Sequence, residues 1–388
     1  MRNFEFENRT KIVFGKGCEN ELLFELRKYG DKVMYVYGGS TIKKSGLYET
    51  IAMQLREANK AVCELGGVQP NPRLSLVRKG IEIARRNKVD LILAVGGGSV
   101  IDTAKAIAIG AVNDGDVWNY YENGIAPHRA VPVGVVLTNA ASGSEGSDST
   151  VITNDDIGVK RGLNAACVVP KFAFLNPERT FTLSRYQTAC GCVDILAHLF
   201  ERYFSPDKNN DITTNLLIGA MKTIIKNAPI AYENPKDYNA RAEIMYTGTV
   251  AHNGSLSVGR RGDWASHKIE HALSALNDMA HGEGLAIVFP AWMKYVYEQD
   301  PSAFALLATD VFGIEKGDKS DEQLTYEFIT ALEAFYKSLG MRTKLSEVGF
   351  SESDVGRLAE LTMYRYDSIG GFMKLYKSDV ENILRLAF

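Results

Sequence analysis

Asp90-Leu91-Ile92-Leu93-Ala94-Val95-Gly96-Gly97-Gly98-Ser99 is the stretch that decides the fold. Its first six residues are nearly all apolar and too few for a helix, as in a strand buried on both faces of a parallel sheet. Three glycines then allow a tight turn and close approach of a ligand to the backbone. Residues 100–109 follow with helical composition. Strand, glycine turn and helix together are the repeating unit of parallel α/β sheets. The unpaired N–H groups and positive dipole end of such a helix suit a pyrophosphate, so Gly97, Gly98 and Ser99 are candidate phosphate contacts. Asp102 is expected in the first helical turn, where it stabilises that end or meets a ribose hydroxyl. The pattern is not the G-x-G-x-x-G fingerprint, and its plain alternative is a tight turn that binds nothing.

Working outward, Lys32–Tyr37, Ala61–Leu65 and residues 131–137 are further short apolar runs, with helical patterns over 44–59 and Leu74–Asn87 between them. The run Lys32–Tyr37 ends in Gly38-Gly39-Ser40, and the run 131–137 ends in Thr138-Asn139-Ala140-Ala141-Ser142. Carboxyl ends of neighbouring parallel strands converge on one ligand crevice, so these turns join the candidate nucleotide site. No carboxylate stands at Gly39 or Ser40 for a ribose 2′-hydroxyl, and Lys43 lies just beyond, which leans towards NADP(H) over NAD(H). Past Asn176-Pro177 the apolar spacing turns helical, over 186–204, 212–226, 240–251, 264–276, 285–297 and 322–339. The reading is therefore an α/β dinucleotide-binding domain over 1–180 and an all-helical domain over 181–388.

A chain of 388 residues exceeds one ordinary core, which fits two domains. Its net charge of -3 argues against a nucleic-acid or anionic-membrane partner, which a basic face would serve. No run reaches the roughly 20 apolar residues of a membrane span. Five cysteines at irregular spacing suggest no disulfide framework and fit a reducing cytoplasm. Cys190 and Cys192 flank the histidine segment described next, and read as small buried helix residues.

Histidine is scarce, with six in the chain. Asp194 and His198 stand four apart on one expected helix, and His267 and His271 repeat that spacing on another, so each pair projects from one face. His281 follows a loop. One carboxylate with several imidazoles suits Fe(II), Zn(II), Co(II) or Ni(II) better than Mg(II) or Ca(II). The absence of four thiolates argues against a closed structural zinc. Spacing leaves open which of the five groups ligate. His128 and His252 stand alone and read as structural.

These residues resemble the iron-containing alcohol dehydrogenase family, above all its butanol dehydrogenase-like aldehyde reductase branch. The resemblance runs through Tyr37-Gly38-Gly39-Ser40, Pro70-Asn71-Pro72, Ala94 to Asp102, Gly143-Ser144-Glu145, Asp194 to His198, Asp263 to His271 and Ala280-His281. It implies a dehydroquinate synthase-like two-domain fold and one divalent metal, Fe(II) or Zn(II), held by Asp194, His198, His267 and His281. It makes His271 a non-ligand candidate for proton relay. It assigns the cofactor to Gly38, Gly39, Ser40, Asn71, Gly97, Gly98, Ser99, Asp102, Thr138, Asn139, Ser142 and Lys160, usually with NADP(H), in a homodimer. Relatives often read Thr-x-Pro-Ala-Thr where this chain has Thr138-Asn139-Ala140-Ala141-Ser142.

The expected activity is interconversion of primary alcohols and aldehydes by hydride transfer. The metal acts as Lewis acid on the substrate oxygen and His271 passes the proton, an imidazole being suited to that near neutral pH. The nearest rival is an NAD-dependent glycerol or other polyol dehydrogenase on the same scaffold. A dehydroquinate synthase-like lyase would need a basic cluster that the Lys160-Arg161 pair does not supply. A non-catalytic nucleotide-binding protein with a structural metal is the reading from another class.

Overall fold

The computed structural model describes all 388 residues, in two compact units. One spans Glu7–Thr182; the other combines Met1–Phe6 with Leu183–Phe388.

The first unit holds eight strands: β1 (Lys11–Phe14), β2 (Lys32–Tyr37), β3 (Ala61–Leu65), β4 (Leu91–Gly96), β5 (Val133–Leu137), β6 (Ser149–Asn154), β7 (Val159–Asn164) and β8 (Phe172–Leu175). Its helices are α1 (Leu22–Leu26), α2 (Thr41–Lys44), α3 (Leu47–Glu57), α4 (Leu74–Asn87), α5 (Gly98–Val112) and α6 (Trp118–Asn123). Six strands form one parallel sheet in the order β1-β8-β5-β4-β2-β3. The four inner strands are almost wholly buried, while the edge strands β1 and β3 are partly exposed. That is why the inner strands read as continuous apolar runs.

The chain passes from β2 out to the edge at β3, then returns across β2 to β4 and onward. The order therefore reverses between β2 and β4, the point where ligands bind at the carboxyl ends of open α/β sheets. Gly38 and Gly97 follow those two strands.

Several details differ from the sequence reading. Helix α5 starts at Gly98, so Asp102 lies in its second turn. The helix expected over 44–59 breaks at Gly46, whose φ of +75° is left-handed, leaving the short α2 before α3. Strands β6 and β7 pair antiparallel outside the main sheet. Their sequences, STVITN and VKRGLN, lack the apolar run of a core strand.

The second unit is helical: α7 (Arg185–Tyr203), α8 (Asp211–Glu233), α9 (Tyr238–His252), α10 (Ala265–Asn277), α11 (His281–Val296), α12 (Pro301–Asp310), α13 (Asp321–Ser338), α14 (Val355–Thr362) and α15 (Lys377–Leu386). Helix α11 is buried on all sides over Leu285–Met293, as expected of a central helix. Around it Phe204 packs on Phe304 at 4.5 Å and on Trp292 at 5.1 Å, and Phe200 on Phe289 at 5.6 Å. This aromatic core fixes α7 against α11. Met1–Phe6 joins the same unit through Arg2 N–H donating to the Gly259 carbonyl at 2.9 Å. No helix is long and apolar enough to cross a membrane.

Gly134 of β5 shows how tight the sheet core is: a Cβ there would stand 2.1 Å from the fully buried Phe172 ring. Gly134→Ala is expected to destabilise by about 1–3 kcal/mol through overpacking. A urea midpoint equal to that of the parent would contradict this.

Candidate metal centre and nucleotide-binding turns

In the helical unit the site is built by α7, α10 and α11. Helix α7 starts from a capping box, in which Ser184 Oγ accepts from Gln187 N–H at 3.1 Å and the Gln187 side chain answers at the Ser184 N–H. Two and a half turns on, Asp194 and His198 share one face and are both almost fully buried.

Trp264 caps the start of helix α10, and its φ of +66° is left-handed, a conformation that costs of order 1–3 kcal/mol in a residue with a side chain. Buried carboxylates hold it there. Glu201 accepts from the N–H groups of Trp264 and His267, and Asp263 accepts from Ala265, Gly371 and Phe372 at 2.9–3.0 Å. Burial, and then the Glu201 charge, push the Asp263 carboxyl up to about 7. The strained backbone aims the Trp264 ring across the site, 5.3 Å from His267 and 5.8 Å from His252, with the Arg202 guanidinium 4.8 Å over its face.

Helix α11 starts at His281 itself, four residues before the apolar run that announced it. Gly282 and Gly284 obscured that first turn. A Cβ on Gly282 would stand 2.1 Å from the Cys190 carbonyl oxygen, so glycine is what lets α11 lie against α7. Glu283 then anchors the turn, taking Arg342 at 2.7 and 2.6 Å and the Tyr186 hydroxyl at 2.8 Å.

The three helices bring nitrogens from three histidines around one oxygen. Asp194 Oδ1 lies 3.6 Å from His198 Nδ1, 3.9 Å from His267 Nε2 and 3.8 Å from His281 Nε2. These separations are too long for hydrogen bonds. They are close to the roughly 3.4 Å between donors that share one tetrahedral ion at about 2.1 Å. The His198 Nδ1 and His267 Nε2 atoms are buried and make no hydrogen bond, an arrangement costly for a polar atom unless a cation receives its lone pair. Burial, then the neighbouring imidazoles, hold the His198 pKa well below its ordinary value, keeping the ring neutral as a ligand must be. The donor set fits a divalent transition ion.

The geometry sorts the five candidate groups. Asp194, His267 and His281 offer donors all within 4.8 Å of one another, and His198 stands beside them. His271 does not join Asp194; it groups with Glu270 and His281, its ring 5.7 Å from that of His281. Cys190 and Cys192 are buried, and burial pushes both thiols up to about 12. His252, read from sequence as isolated, lies 4.2 Å from the His198 ring. Its spacing gave no sign of this, because it arrives on a different helix. Glu201 and Glu270 were also unmarked, although each stands three residues after a candidate histidine.

In the α/β unit, Gly38, Gly39 and Ser40 follow β2, Gly97, Gly98 and Ser99 open α5, and Thr138 and Asn139 follow β5. A Cβ on Gly98 would stand 2.3 Å from Ser142 Oγ, and one on Gly97 3.0 Å from Asn139 Cβ, so both glycines are required by the loop beside them. The buried Asn139 Oδ1 has no hydrogen-bond donor. Lys160 Nζ donates to Asn71 Oδ1 at 2.9 Å, joining two residues 89 apart in sequence.

Asp102 takes Ser144 Oγ at 2.7 Å and Val151 N–H at 3.1 Å, so its carboxylate ties α5 to the following loop and β6. Lys105, one turn on and fully buried, completes that tie by donating to the Ser144, Ser147 and Ser149 carbonyls at 2.7–2.8 Å.

The description "Iron-containing alcohol dehydrogenase" matches residues 9–177, and "Fe-containing alcohol dehydrogenase family, C-terminal" matches residues 188–388. The chain belongs to the iron-containing alcohol dehydrogenase family. Among its relatives in this family is the probable NADH-dependent butanol dehydrogenase 1 of Bacillus subtilis, 43% identical over 99% of both chains. The NADPH-dependent aldehyde reductase YqhD of Escherichia coli is 34% identical over 92% of each. The crystal structure of NADH-dependent butanol dehydrogenase A from Thermotoga maritima is 40% identical and superposes with a TM-score of 0.96, over 100% of this chain and 99% of that one. As an iron-type alcohol dehydrogenase the chain is an NAD(P)-dependent oxidoreductase of alcohols and aldehydes, and its family implies a divalent metal.

Burial holds the Lys105 ammonium down to about 8, against about 10.4 in an unfolded chain. Between those values the unfolded chain binds more protons, so the contribution of this lysine to stability rises with pH. Lys105→Met leaves three carbonyls facing a thioether and is expected to lower stability, with the deficit widening from pH 8 to pH 10. Urea titrations at both pH values check this; a gap that narrows runs against it.

Proposed function

We propose that this enzyme interconverts primary alcohols and aldehydes of butanol size with NADP(H), using one divalent metal held by Asp194, His198, His267 and His281. The observation that carries the proposal is the convergence of three imidazole nitrogens at 3.6–3.9 Å on one buried carboxylate oxygen. A bound divalent ion supplies Lewis acidity to the substrate oxygen.

The residues around it do the rest. His198, His267 and His281 would hold the ion through their ring nitrogens, and Asp194 would supply the one anionic donor. Trp264 and His252 shield the His198 side. His271, half-buried and one turn beyond His267, exchanges the proton of the hydroxyl group with solvent. In the α/β unit, the N–H groups opening α5 take the pyrophosphate and the turns after β2 and β5 take the flanking groups. A homodimer in a reducing cytoplasm completes the reading; five free cysteines are consistent with that compartment.

NADP(H) is favoured by what surrounds Gly39 and Ser40. Lys43 Nζ lies over the rings of Tyr48 at 4.9 Å and Tyr37 at 5.5 Å. The hydroxyls of both tyrosines donate to Glu64, at 2.7 and 3.0 Å, which occupies that carboxylate. A cation held by an aromatic pair beside a turn without an acidic residue suits a 2′-phosphate. Relatives are named for NADH and for NADPH, so the preference rests on this chain's own residues.

Apo-protein reconstituted anaerobically with Fe(II), Zn(II) or no metal, and given butyraldehyde with NADPH or NADH, tests the whole. Metal-dependent turnover favouring NADPH is expected, and Lys43→Met should raise the KM for NADPH several-fold while sparing NADH. Preference for NADH in the parent would overturn the cofactor assignment alone. His267→Ala should lose metal and activity together. His271→Ala should keep metal by elemental analysis and lose rate; full activity at every pH tested would remove its role.

A further inference from the structure

Two of the three candidate ligand imidazoles carry a buried carboxylate on their far nitrogen. His267 Nδ1 stands 2.8 Å from Glu201 Oε1, and His281 Nδ1 is hydrogen-bonded to Glu270 Oε2. Both glutamates are fully buried. Each comes from a helix other than that of the histidine it backs: Glu201 of α7 meets His267 of α10, and Glu270 of α10 meets His281 of α11. The carboxylates are themselves fixed, Glu201 by the N–H groups of Trp264 and His267, Glu270 by the Ser274 hydroxyl.

A carboxylate at Nδ1 holds the proton on that nitrogen and leaves the Nε2 lone pair free, which is the form a metal needs. It also fixes the ring plane, so Nε2 of both histidines points to within 4 Å of Asp194 Oδ1. His198 differs. It faces Asp194 through Nδ1, and its ring neighbours are His252, at 4.2 Å, and the rings of Trp264 and His267.

We infer that Glu201 and Glu270 are positioning residues for the metal. They select the Nδ1-protonated tautomer of His267 and His281, orient both rings, and add two negative groups around a site whose only anionic ligand is Asp194. The inference rests on the ligand set proposed above and adds to it residues that touch no substrate. Because each pair bridges two helices, the metal site and the packing of α7, α10 and α11 are specified by the same bonds.

The test uses the full chain stripped of metal and titrated with Co(II) against a chromophoric chelator. Glu201→Gln and Glu270→Gln, measured separately, are expected to weaken Co(II) binding about 10- to 100-fold and to alter the visible cobalt spectrum. Each amide keeps a carbonyl acceptor, and thermal unfolding of the metal-free variants checks that the fold is retained. Should the Glu201 variant fail to fold, Glu270→Gln alone decides. Parent-like Co(II) affinity and spectrum in a folded variant overturns the inference and leaves the ligand set standing. A parent chain that binds no Co(II) removes the ligand set itself, and this inference with it.

Discussion

The helical unit depends on a cluster of carboxylates and imidazoles that could not remain buried without mutual contact. Asp194, Glu201, Asp263 and Glu270 are almost or wholly inaccessible, as are His198 and His267. Burying such groups singly costs several kcal/mol each, so every one must find a partner or a cation. The solution is to let three helices cross where their polar residues meet. Helix α7 contributes Asp194, His198 and Glu201, α10 contributes His267 and Glu270, and α11 contributes His281. The aromatic core beyond, from Phe200 through Trp292, supplies the apolar burial that presses those helices together. The backbone follows: Trp264 accepts a left-handed conformation because Glu201 and Asp263 satisfy the N–H groups around it.

The α/β unit meets a parallel demand with opposite means. The turns proposed for the nucleotide need backbone N–H groups free for a ligand, and the side chains nearby hold one another. Asp102 and Lys105 are spent on the loop between β5 and β6, and Lys160 on Asn71. The loop that contacts Gly97 and Gly98 is therefore carried on the buried Asp102 carboxylate and on three carbonyls that accept from Lys105. Within that loop Ser142 meets the Gly98 face directly, whereas the Asn139 amide oxygen is buried without a donor.

Much of this was legible in the sequence where one period or one spacing carried the information. The inner strands β2, β4 and β5 show as apolar runs because both their faces are covered, and α7 and α10 show through Asp194/His198 and His267/His271. The edge strand β1 and the closing strand β8, at four residues each, are too short for any period. The hairpin β6–β7 is polar on one face and resembles a loop. The start of α11 was hidden because Gly282 answers to Cys190 and Gly284 to Glu270, and both contacts are tertiary. For the same reason His252, Glu201 and Glu270 left no mark. Their significance comes from residues on other helices, 11 positions away for Glu270 and 66 for Glu201, and i,i+4 logic cannot reach across a helix crossing.

The indole of Trp264 is one of only three in the chain, and its strained backbone sets it among the rings of His198, His252 and His267. An ion with an incompletely filled d shell, held by the proposed ligands, would draw energy from an excited indole so placed, whereas zinc, with ten d electrons, would offer no such route. With the proposed site filled, Trp264 emission would therefore be weaker for iron or cobalt than for zinc. The strain that organises the turn also sets an optical reporter beside the proposed ligands.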